Sequence, residues 1–70
     1  MADIDSLCSQ CAARGVESVL PEIAGEAEAE ALSRACFERA VRAREHGDTL
    51  TAGRLSRAGQ YLHYWATGHV

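Results

Sequence analysis

Apolar residues in this chain recur every three or four positions and nowhere alternate over the length of a strand, so the pattern predicts helix throughout. The most regular stripe is Thr51, Leu55, Ala58, Leu62 and Trp65, spaced four, three, four and three apart, on a helix expected over about 48–67. Asp48 is placed to cap its start and Gly68 to stop it. A longer helix is expected over about 21–46. Pro21 is tolerated in a first turn after Ser18 or a neighbour, and Glu22 suits the positive end of the helix dipole. Glu26 to Glu45 contains no breaker, whereas Gly25 is a weak spot where this helix could kink or restart. Arg39, Arg42 and Arg44 suit its C-terminal end, and Gly47 ends it.

A short first helix is expected over about 6–14, capped by Asp5 and stopped by Gly15, with Ile4, Cys8, Cys11 and Gly15 along one face. On the long helix one face carries Ala29, Leu32, Cys36, Ala40 and Ala43, with Phe37 and Val41 beside it. On the last helix Ala52, Ser56, Gly59 and His63 form a face of small residues that lets another helix approach closely. The linker His46-Gly47-Asp48 is so short that the second and third helices must fold back on each other. The expected fold is all-α: a short N-terminal helix, then a long antiparallel helical hairpin, in one small domain over 1–70.

Composition adds a constraint. Hydrophobic residues are 47% of the 70, but alanine dominates them and large apolar side chains are few. Such a chain forms helix readily and buries little area per helix. A domain this small normally needs a disulfide, a metal or a partner to be stable. A bundle completed by homodimerisation is therefore expected. Charge points the same way: residues 1–32 hold seven acids against Arg14, and residues 33–70 hold six arginines against three acids. The net charge of -3 gives no overall pull toward nucleic acid or acidic lipid, while the unequal halves suit antiparallel or head-to-tail association. The first fifteen residues lack the apolar stretch of a secretion signal, and no run is long enough to span a bilayer, so a reduced cytoplasmic setting is expected.

Candidate chemistry rests on three cysteines. Cys8 and Cys11 form a CxxC half-site of the zinc type, which Cys36 and one histidine could complete. His46 is ten residues from Cys36 on one helix, about 15 Å away by rise alone, leaving His63 or His69 as the fourth ligand. No CPxCG knuckle accompanies the pair, and the thioredoxin-like alternative would need a strand before it. Free cysteine also behaves as a small buried hydrophobe, and the sequence favours that reading, an apolar seam. Nothing arranges a nucleophile with a base and an orienting group, and the ExxH pattern of di-iron bundles is absent, so catalysis is not expected.

Two binding surfaces remain. Leu55-Ser56-Arg57-Ala58-Gly59 followed by Tyr61-Leu62-His63-Tyr64-Trp65 resembles part of the winged regulators of the mercury-resistance type, a likeness that implies DNA binding. It covers under a third of the chain and lacks the turn that would set off a recognition helix. The aromatic residues Tyr61, Tyr64 and Trp65, with Leu55 and Leu62 of the same helix, form the expected interface, since Tyr and Trp concentrate at binding hot spots. The expected function is thus a non-enzymatic, self-associating protein–protein interaction module, an adaptor or regulator. A zinc-type thiolate protein is the alternative, and a DNA-binding regulator the third.

Overall fold

The computed structural model describes residues 3–67. They form α1 (Ile4–Arg14), single 3-10 turns at Val16–Ser18 and Leu20–Glu22, α2 (Glu26–Glu45) and α3 (Thr49–Thr67), with no strand among the described residues. The all-α hairpin expected from the periodicity is the fold observed. No helix is long and apolar enough to cross a membrane among the described residues.

The hairpin turn follows from local chemistry. Gly47 takes φ 82°, a left-handed conformation that penalises any side chain, and lets the chain reverse. The Asp48 N–H donates to the Ala43 carbonyl at 2.9 Å and the Gly47 N–H to Arg44 at 3.0 Å, satisfying the last carbonyls of α2 in a Schellman motif. Asp48 then accepts from the Thr51 N–H through Oδ1 at 3.2 Å and caps α3. Gly15, at φ 94°, ends α1 with its N–H returned to Cys11.

Two starts differ from expectation. The first helix begins at Ile4, with Asp3 in the capping position but no side-chain cap bond. Asp5 lies inside that helix, where its carboxylate is drawn outward to accept from Arg39 of α2. The long helix begins at Glu26, not near Pro21. Pro21 belongs to the separate turn Leu20–Glu22, and extended backbone at Ile23 and Gly25 intervenes. That extended step carries the chain from the end of α1 to the start of α2, so of the two roles expected for Gly25 it takes the restart and not the kink.

Packing builds two layers in a body 16 Å across its thinnest direction. α2 and α3 form one layer; α1 lies across both, tied to α2 by Asp5–Arg39 and to α3 by Arg54, which donates to the Ala12 carbonyl at 3.0 Å. Leu7, Cys8 and Cys11 of α1, Val19 of the first turn's cap, Leu32, Cys36 and Ala40 of α2, and Leu55, Ala58 and Leu62 of α3 fill the space between the layers. Within the hairpin the small-residue face of α3 meets α2, as its composition implied. The Ser33 hydroxyl donates to the Gly59 carbonyl at 2.6 Å, and the Phe37 ring lies directly on Gly59. Beside this contact Phe37 stays 39% exposed and Val41, one turn further on, 54%.

Candidate functional site

The fold brings all three cysteines together. Cys8 and Cys11, one turn apart on α1, face Cys36 on α2, and all three are buried free thiols. Cys36 is the neighbour whose thiol influences both Cys11 and Cys8. Donation from Cys36 holds the Cys11 thiol below its ordinary value despite burial. Cys36 is pushed far above that value, by its bond to Cys11 first and by burial second. Cys8 is raised by burial, an effect that Cys36 and the Arg39 guanidinium partly offset.

Cys8 also lines a cavity of about 380 Å³, shared with Arg39, Arg42, His46 and Thr51. Neither Cys11 nor Cys36 reaches it. One of the three buried thiols, Cys8, therefore borders the cavity, and the other two do not.

Of the two histidines expected to complete a zinc site, His63 does not join this cluster. His63 Nδ1 is 3.2 Å from Glu30 Oε2, and Glu30 is six residues from Cys36, about 9 Å along α2. His69 lies outside the described residues. Among those described, no three or more His, Cys, Asp or Glu side chains are arranged to hold a metal ion. His46, which helical rise separates from Cys36, nonetheless borders the cavity at Cys8, because α1 crosses α2 between them.

The arginines divide among separate places. Arg34 pairs with Glu30 at 4.0 Å, Arg39 and Arg42 border the cavity at Cys8, and Arg54 and Arg57 join Arg14 along a second cavity of about 520 Å³. The stretch that resembles winged regulators lies within α3, one unbroken helix, so it contains no turn and no separate recognition helix.

Of the expected interface residues, Leu55 and Leu62 are 3% and 0% exposed. They are core between the layers and offer no surface. Tyr61, Tyr64 and Trp65 are partly exposed at the C-terminal end of α3. Trp65, assigned by spacing to the core stripe, sits at its edge with 39% of its surface open. A second exposed apolar pair, Phe37 with Val41, lies on α2, and its spacing of four beside the Cys36 stripe marks a second face.

Compared with protein-family models, with curated proteins and with solved structures, the chain matches none.

Proposed function

We propose that this chain is a non-enzymatic helical interaction module that self-associates, α2 pairing antiparallel with α2 of a second copy across the uncovered face of the hairpin. The observation that carries the reading is the pair Phe37 and Val41, one turn apart on α2 and about half open. Large apolar side chains set in a charged helix are what a partner surface supplies and a solitary hairpin lacks.

Charge selects a second copy as the occupant. Glu30 and Arg44 stand seven residues on either side of Phe37, two helical turns each way, and so share its face. A two-fold axis through Phe37 sets Glu30 of each copy opposite Arg44 of the other. An isologous contact needs that self-complementarity. The dimer adds the third layer that a 70-residue, alanine-rich chain cannot build alone. It leaves Tyr61, Tyr64 and Trp65 free at the ends as the surface for a different protein, the adaptor or regulator role.

Light scattering coupled to size exclusion tests this. The expected result is twice the chain mass, falling to one chain mass in Phe37→Glu/Val41→Glu with helical circular dichroism retained. A folded wild-type monomer at high micromolar concentration would overturn the proposal.

A further inference from the structure

We propose that the cleft between the C-terminal end of α1 and the first turns of α3 binds a small phosphate monoester with an apolar body. Three arginines line it from two helices: Arg14 of α1, and Arg54 and Arg57 about one turn apart on α3. Arg54 is held in place by its bond to the Ala12 carbonyl at 3.0 Å, which leaves further N–H donors on the same guanidinium. None of the three forms an ion pair among the described residues. Glu17 is the one acid on the wall, so the cleft carries an excess of positive charge in a chain whose net charge is -3. A phosphate monoester brings a charge of about -1.5 to -2, on oxygens that guanidinium groups bind in pairs.

The cleft is larger than a phosphate group needs, and part of its wall is apolar. Its volume of about 520 Å³ falls in the range of small-molecule sites. Val16, Leu50 and Ala58 line it, and Leu50 is left 66% exposed. Gly53 is an independent sign. Leu50, Gly53 and Arg57 follow one another at three and four residues along one face of α3, and all three line the cleft. Glycine inside a helix costs stability, and packing gives no reason for this one: a Cβ there would meet nothing within 4 Å, whereas Gly59 lies under the Phe37 ring. What the missing side chain leaves is room in the cleft. The site lies on α1 and α3 and does not rest on the pairing of two copies through α2.

Calorimetric titration of the whole chain with 1-naphthyl phosphate tests this, beside inorganic phosphate and neutral 1-naphthol. Saturable binding is expected, at least about tenfold tighter than either fragment alone. Arg57→Gln should weaken it about three- to tenfold. Gly53→Leu favours the helix but fills the cleft, so it should abolish binding with helical circular dichroism retained. Where a variant fails to fold, amide NMR shifts in the wild-type chain still decide: changes centred on Gly15, Gly53 and Arg57 support the site, and changes centred elsewhere overturn it. Affinity no better than for inorganic phosphate, or undiminished binding by folded Gly53→Leu, would also overturn it. Phosphatidate vesicles offer the same headgroup on a bilayer; binding to them and not to the free naphthyl phosphate would overturn the small-molecule reading.

Discussion

The ring of Phe37 rests on Gly59 so closely that a Cβ at that glycine would lie 2.9 Å from the nearest ring carbon. The hairpin's tightest point is therefore where a bare helix backbone takes the place of a side chain. Gly53, six residues earlier on the same helix, meets nothing within 4 Å. The two glycines should respond oppositely to alanine. Gly53→Ala should stabilise by about 0.5–1 kcal/mol through helix propensity alone. Gly59→Ala gains the same propensity but must swing the Phe37 ring outward, a packing loss of about 1–2 kcal/mol, so it should leave the chain no more stable than wild type. Urea unfolding of both variants checks the sign of the difference.

Across the same contact, the buried hydroxyl of Ser33 holds the Gly59 carbonyl at 2.6 Å. Ser33→Ala removes the donor and leaves a carbonyl that still belongs to a helix ladder. The expected cost is about 1 kcal/mol, read as a lower urea midpoint with an unchanged slope. A neutral result would mean that the hydroxyl merely satisfies itself.

These contacts also mark how far the chain's pattern could be read. Local features were legible because their causes are local: Gly47 and Asp48 make the turn through backbone bonds and a cap within five residues, and the stripe through Leu55 and Leu62 needs only helical spacing. The start of α2 at Glu26 was not, because Pro21 fits a first helical turn equally well as an isolated 3-10 turn. Which of these forms depends on the distance the chain must cover from α1. The meeting of Cys8 and Cys11 with Cys36 depends on how α1 crosses the hairpin, which periodicity on separate helices does not encode. The same crossing decides that Phe37 and Val41 are left open while Cys36 is enclosed.

The proposed pairing of two copies makes Glu30 and Arg44 partners across the axis. Arg44→Glu should weaken dimerisation roughly three- to tenfold by setting like charges opposite each other. Combining it with Glu30→Arg should restore most of the loss, because the pair is exchanged rather than broken. Added salt should shrink both effects. Sedimentation equilibrium of the single and double variants checks this, and a double variant weaker than either single would place the axis elsewhere.

Asp48 is held below the ordinary carboxylate value of 3.8 by its bonds from Thr51, the side chain first and the backbone second. A depressed folded-state value means that the cap's contribution is present above pH 3.8 and is lost as pH falls through the lower folded value. Asp48→Ala should therefore melt below wild type at neutral pH. The gap between the two should close under acid, as protonation removes the acceptor from the wild-type cap. Thermal melts followed by circular dichroism across the acid range would show the convergence; a constant gap would mean that the charge on Asp48 plays no part.

At the other end of the pH scale the thiol cluster should limit stability. Cys36 and Cys8 lie above the ordinary thiol value of 9.0 in the folded chain, Cys36 chiefly through its bond to Cys11 and Cys8 chiefly through burial. A raised folded value stabilises below pH 9.0 and is lost above it, because the unfolded chain releases its thiol protons first. Cys11 shifts downward and offsets part of this, since it and Cys36 share a proton as a pair. Between about pH 9 and about pH 10 wild type should lose up to about 1.4 kcal/mol for each thiol that stays protonated only when folded. Cys36→Ala removes the shared proton and should flatten the slope, even though its stability at neutral pH is lower. Urea unfolding of both proteins under reducing conditions at neutral and alkaline pH measures the two slopes. Identical slopes would show that the three sulfurs titrate as independent, solvated thiols rather than as one enclosed cluster.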